Sequence, residues 1–256
     1  GNRVPNSEWR PFLVRKQRKQ TGKTYEGLSQ ATLRAIIAGT STFFTYLQQE
    51  NYMTQNPVLL IRQKSHMIQR QHQVRITRKL SDEQWNILIK EVAKKCEESL
   101  GFERHLFIFS AFYLMGIRIS ELADTSHHRP VMGDFFKDHE GLWWFRVIGK
   151  GNKSRDIAVC DDMLKQLIRY RSYLGLSGMP LPGEAVSILV KRRGHGGIGV
   201  RQLRKIVQEG FDIVIEELNR QDKHEDAQRM QQATVHWLRH TAISKDVQIR
   251  PREHVR

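Results

Sequence analysis

The stretch Thr234-Val235-His236-Trp237-Leu238-Arg239-His240-Thr241 sets a histidine and an arginine three positions apart. On a helix His236 and Arg239 point to one side, a turn apart, while Trp237 and Leu238 face elsewhere and can anchor that turn in a core. A proton donor or acceptor beside a permanent cation suits a site that stabilises a phosphate in its transition state. Alone, such a pair is as readily a surface feature. Two further segments give it context, Gly116-Ile117-Arg118-Ile119-Ser120-Glu121-Leu122 and Gly149-Lys150-Gly151-Asn152-Lys153.

Composition bounds what surrounds these segments. A chain of 256 residues buries one large core or two smaller ones. No run of about 20 apolar residues occurs, which excludes a membrane-spanning helix, and Gly1-Asn2-Arg3-Val4-Pro5 lacks the apolar stretch of a signal peptide. Cys96 and Cys160 match no metal spacing; both read as structural thiols in a reducing cytosol. The net charge of +15 is uneven: residues 1–79 hold 14 Lys/Arg against 3 acids (+11), and residues 80–256 hold 28 against 24 (+4). A basic first third joined to a nearly balanced remainder implies a module gripping a polyanion, with nucleic acid the expected partner. An anionic membrane fits less well, because the basic segment has no apolar face rich in Trp or Phe.

Periodicity places the elements. Residues 8–25 mix apolar and basic side chains and lead into Ser29, an expected N-cap. Leu33, Ile36, Ile37, Phe43, Phe44 and Leu47 recur at helical spacing, with Gly39 leaving either two pieces or a bend open. Asn56-Pro57 marks a turn before the apolar run 58–61. Residues 62–79 carry Arg62, Lys64, Arg70, Arg75, Arg78 and Lys79 with no acid, the composition of a linker lying on phosphates or of a solvated tether. A new domain opens at Leu80, where Ser81 and Gln84 form a capping box. A helix from about Glu103 to Met115 is apolar nearly all round and hence central, and Gly116 ends it. Residues 142–148 and 155–159 read as strands joined by a hairpin at 149–154. Asp161 to Tyr173 is helical, residues 186–190 are a further candidate strand, and 191–199 an exposed basic loop. Arg201, Arg204 and Lys205 begin a helix that either enters a major groove or lies on the surface.

At a phosphodiester, negative charge gathers on the non-bridging oxygens, and guanidinium groups are suitable clamps. Arg118 and Arg239 fit that role, Lys150 in a hairpin can protonate a leaving 5′-oxygen, and His236 can orient a nucleophile or shuttle its proton. Such chemistry requires no metal or cofactor. Neither His236/His240 nor His127-His128 has the setting of a metal site. The bland alternatives are an i,i+3 surface ion pair between Arg118 and Glu121, a hairpin with solvated lysines, and a capped, buried His240.

In their order and spacing the three segments resemble the catalytic motifs of the tyrosine recombinases, the phage and transposon integrase family. The resemblance implies an α+β, mostly helical protein. Residues 1–61 look like a small all-α, SAM-like core-binding domain, 62–79 like the basic linker, and 80–256 like the mixed α/β catalytic domain with a short β-sheet. It implies Arg118, Lys150, His236 and Arg239 as catalytic residues and Glu121 and His240 as supporting ones. It also implies Lys153 as a phosphate contact, with the linker cations and Arg201, Arg204 and Lys205 as further expected DNA contacts. It further implies site-specific DNA cleavage and rejoining through a 3′-phosphotyrosyl intermediate, without cofactor. Double-stranded DNA, a dimer to tetramer of the chain on it and a cytoplasmic, nucleoid-associated, prokaryotic setting complete that expectation. Two departures stand out. The 123–140 insert is longer than is common in the family. The six tyrosines (Tyr25, Tyr46, Tyr52, Tyr113, Tyr170, Tyr173) all precede His236, so the expected nucleophile is absent and the chain reads as C-terminally incomplete. A type IB topoisomerase-like enzyme and a DNA-binding module without activity are the alternatives.

Overall fold

The computed structural model describes residues 30–64, 78–149, 151, 153–176 and 178–249. The basic stretch 8–25, the Ser29 cap, Arg70, Arg75 and Lys150 lie outside them. Two compact units divide the chain, residues 1–76 and 77–256.

In the first unit, helix α1 (Gln30–Gln49) runs unbroken through Gly39, so two separate pieces do not form. Asn51 takes φ 60° and the Tyr52 amide donates to the Leu47 carbonyl at 2.9 Å, a left-handed termination that asparagine tolerates better than most residues. Asn56-Pro57 proves to be a helix start rather than a plain turn. The Val58 amide donates to Asn56 Oδ1 at 3.0 Å and Pro57 occupies the first position of α2 (Pro57–Lys64), where its missing N–H leaves no bond unmade. Asn56 is itself buried and donates to the Ser41 carbonyl and Thr45 Oγ1, each at 3.0 Å, which ties α2 to α1. Arg62 and Lys64 thus stand on α2 rather than on an extended tether.

The second unit opens with α3 (Asp82–Glu98), whose capping box joins Gln84 N to Ser81 Oγ at 3.1 Å and Ser81 N to Gln84 Oε1 at 3.0 Å. Its buried Leu88, Val92 and Cys96 recur every four residues and face the core. Helix α4 (Glu103–Met115) buries nearly every side chain and is packed by α3, α6 (Asp161–Tyr173), α7 (Val200–Arg220) and α9 (Val235–Ile249). It meets α7 closely at Gly210, where a Cβ would stand 2.3 Å from the Phe109 ring. Gly116, at φ 58°, ends α4. The short α5 (Ile119–Leu122) follows at once, and α8 (His224–Met230) links α7 to α9.

Between α5 and α6 lies a three-stranded antiparallel meander, β1 (Phe135–Lys137), β2 (Trp143–Ile148) and β3 (Ser154–Ala158). Phe135 pairs with Phe145, their rings stacked at 4.4 Å, and Val147 pairs with Arg155. Burial alternates along β3, with Arg155 and Ile157 half-buried and Ser154, Asp156 and Ala158 exposed. Residues 186–190 do not form the expected strand. Only the isolated bridges Val131–Ser187 and Val190–Gly197 occur there, fastening the segment to the 123–140 insert and to the glycine-rich loop. Cys96 is buried as expected, but Cys160 is exposed at the start of α6 and so is no core thiol.

Candidate active site

Two chain reversals bring the arginines together. Gly116 turns the chain out of α4, Ile117 buries fully, and Arg118 becomes the N-cap of α5. Apolar Ile117 and Leu122 hold that turn against the core, and Arg118 points out with its side chain 48% exposed. From the other end of the sequence, α9 docks through Trp237 and Leu238, both buried. Thr241 Oγ1 fastens it further, donating to the Trp237 carbonyl at 2.7 Å and accepting from the Leu80 amide at 2.9 Å. Thus anchored, Arg239 is half-buried and its Nη1 donates to the Gly116 carbonyl.

Glu121 organises the charges. Its carboxylate has no exposure, so the surface ion pair with Arg118 does not describe it. It accepts from the Arg118 amide at 2.7 Å and from Arg118 Nη1 at 2.9 Å. Arg155 on β3 adds a two-pronged contact, Nη1 to Oε1 at 2.6 Å and Nη2 to Oε2 at 2.8 Å, the fork geometry in which a guanidinium bonds a carboxylate best. Burial pushes the Glu121 carboxyl up, but the hydrogen bonds from Arg155 and Arg118 outweigh it and hold the group below its ordinary range. Arg239 lies within electrostatic reach of the same three residues. Burial lowers its pKa first, the like charge of Arg118 adds to that, and Glu121 opposes it. Three guanidinium groups against one carboxylate leave the cluster at +3 − 1 = +2.

The hairpin starts at this cluster. The Gly149 amide donates to the Lys153 carbonyl at 2.8 Å, and a Cβ on Gly149 would lie 3.5 Å from both Arg155 Nη1 and Glu121 Oε1. Lys153 is exposed beyond it. His236 is exposed on the first turn of α9, and His240 is exposed too rather than capped and buried. Arg201, Arg204 and Lys205 are exposed on α7 while Leu203, Ile206 and Val207 turn inward, so this helix is amphipathic with its cations free of the core. Arg78 is exposed and Lys79 half-buried just before α3.

Sequence reading missed Arg155. Its signal was the strand alternation itself, since position 155 shares the face of Ile157 and not that of Asp156. Asp156 instead pairs across the strands with Arg146 at 2.9 Å. Among the described residues no cluster of three potential metal ligands forms, and no helix is long and apolar enough to cross a membrane.

No family model matches the chain. The tyrosine recombinase XerC of Thermodesulfovibrio yellowstonii is 26% identical over 197 residues, covering 72% of this chain and 56% of that protein. A tyrosine recombinase of Pseudothermotoga lettingae is 26% identical over 159 residues, covering 62% and 49%. The chain therefore spans about half the length of these relatives. Among solved structures, the XerH site-specific recombinase bound to palindromic difH substrate aligns with a TM-score of 0.57 at 17% identity, covering 87% of this chain and 56% of that one. The Tn1549 transposon integrase in complex with circular intermediate DNA aligns at 0.54 and 16%, covering 88% and 69%. Those two likenesses concern the fold, which is mostly helical around a small antiparallel sheet. In sequence the chain is similar to the curated tyrosine recombinases, and in fold to the two recombinase structures.

Proposed function

We propose that the chain supplies the phosphate-activating part of a site-specific DNA recombinase. The observation that carries this reading is the gathering of Arg118, Arg155 and Arg239 about one buried carboxylate at the foot of the 149–153 hairpin. In this reading Arg118 and Arg239 clamp the non-bridging oxygens of a scissile phosphate, where charge grows as the bond order at phosphorus rises. A tyrosine hydroxyl attacks phosphorus, forming a 3′-phosphotyrosyl bond, and the 5′-oxygen leaves with a proton delivered by Lys150. His236, exposed beside Arg239 on α9, takes the proton of the attacking hydroxyl. No step calls on a metal or cofactor. Residues 1–61 act as the helical core-binding domain, 62–79 as the basic linker, and 80–256 as the catalytic domain. Arg62, Lys64, Arg70, Arg75, Arg78, Lys79, Lys153, Arg201, Arg204 and Lys205 meet the backbone of double-stranded DNA, on which two to four copies assemble.

The surroundings of Tyr170 and Tyr113 argue against either as the nucleophile. Tyr170 has no exposure and burial pushes its hydroxyl up to about 12. Tyr113 is stacked on Trp85 with ring centroids 3.6 Å apart. Tyr46 and Tyr52 belong to the first unit. Residues 1–256 are thus expected to bind duplex DNA yet form no covalent adduct with a nicked duplex carrying their site, read on a denaturing gel; an adduct mapping to any of the six tyrosines sinks this assignment. When the chain acts together with an attacking tyrosine, Arg118→Ala and Arg239→Ala abolish cleavage and leave duplex binding within a few-fold, because these contacts strengthen in the transition state. Equal losses of binding and cleavage overturn the reading.

A further inference from the structure

We infer that Arg155 is a positioning residue, a strut that fixes the hairpin carrying Lys150 to the Arg118 turn through the buried Glu121 carboxylate. The inference rests on the reading of Lys150 as the group that protonates the leaving oxygen.

The argument begins with where each end of the strut is fixed. Arg155 follows the hairpin directly on β3, and its partner in register is the fully buried Val147. Strand alternation turns it inward, so a slip of one residue would present Ser154 or Asp156 to Glu121 instead. At the other end Glu121 has no freedom, being fully buried and bonded to both the amide and the side chain of Arg118. The fork between them, at 2.6 and 2.8 Å, fixes orientation as well as distance. Arg118 makes one side-chain bond to Glu121 and keeps 48% of its side chain exposed. Arg155 commits both terminal nitrogens to the carboxylate. Two arginines on one glutamate therefore divide the work. Arg118 faces outward, and Arg155 holds the second strand of the hairpin to the loop on which Arg118 stands. Gly149, against the same two side chains, fixes the hairpin's first strand at that place. Without the strut, the pairing of β2 with β3 is left to hold this end of the hairpin.

A group misplaced by about 1 Å can cost about a hundredfold in rate. The expected effect of Arg155→Gln is a cleavage rate lower by about 10–100-fold, acting through Lys150. The experiment measures single-turnover cleavage by the chain acting with its attacking tyrosine, on matched duplexes with oxygen or sulfur at the 5′ leaving position. Sulfur leaves without a proton, so it restores Lys150→Ala. On the strut reading it restores Arg155→Gln in the same proportion and leaves Arg239→Ala unrestored. Arg155→Lys keeps the cation, loses the fork and falls between wild type and Arg155→Gln, which guards against a variant that folds poorly. A slow Arg155→Gln that sulfur does not restore, beside a restored Lys150→Ala, overturns the strut alone. Failure of sulfur to restore Lys150→Ala overturns the reading of the acid on which the strut rests. A second readout needs no cleavage. Amide hydrogen exchange of residues 1–256 carrying Arg155→Gln should quicken at least tenfold at Gly149 and at Arg118, with α7 unchanged. Uniform quickening in all helices assigns Arg155 to stability only and overturns the proposal.

Discussion

Glu121 holds the candidate site together by being the one acid among three guanidinium groups, and its titration should be visible in the stability of the second unit. Its folded-state pKa lies below the ordinary 4.5. Its ionised form therefore stabilises the fold above that value, and the contribution fades as pH falls through the lower, folded value. Glu121→Gln leaves Arg118 and Arg155 without their counter-charge and destabilises the unit by less than the about 3–5 kcal/mol of a fully buried pair, because both guanidinium side chains keep contact with solvent, at 48% and 38% exposed. The melting-temperature gap between wild type and Glu121→Gln is expected to be widest near neutral pH and to narrow below about pH 4.5. A gap that stays constant down to pH 3 would mean that the carboxylate is not ionised in the fold.

At the scale of elements, the site depends on α4 being held from all sides, since α4 ends at Gly116 and α9 reaches back to that glycine's carbonyl through Arg239. One of these contacts, between α4 and α7, is close because Gly210 admits the Phe109 ring. Gly210→Ala should destabilise the unit by about 1–3 kcal/mol, because an added methyl in a filled contact forces the helices apart. Denaturant unfolding of Gly210→Ala combined with Phe109→Leu measures the coupling. Additive losses in that double variant would refute a direct clash. Ser81→Ala removes the cap of α3 at a cost of about 1 kcal/mol and leaves the arginine cluster intact.

Over the whole molecule the charge is lopsided, with +11 of the net +15 in residues 1–79. Displacing counterions from a duplex makes log affinity fall with log salt by about 0.9 per phosphate neutralised. Six or more contacts from these residues predict that residues 1–256 lose about 10³-fold in duplex affinity between roughly 50 and roughly 200 mM salt. A filter-binding curve that hardly moves over that range would remove the linker and first unit from the DNA contact.

Local rules are strong where bonding partners are close in sequence. The Ser81–Gln84 capping box, the α4 stop at Gly116, the bounds of α6 and, to within one residue, the hairpin expected at 149–154 were all legible, since each is closed by residues within a few positions. The motif order also identified Arg118, Glu121 and Arg239 as candidates that the fold then brings together. Residues 186–190 misled because β-branched composition has no strand to pair with there; their partners at 131 and 197 are isolated bridges fixed by the insert. The Asn56 cap is closed locally by the Val58 amide, and Asn-Pro serves a turn as readily as a helix start; its tie to Ser41 and Thr45 on another helix is what packing decided. Arg155 stayed hidden for the same reason at longer range. Whether a charged side chain on a strand meets solvent or a buried carboxylate 34 positions away depends on register and burial, and only the packed tertiary structure sets both.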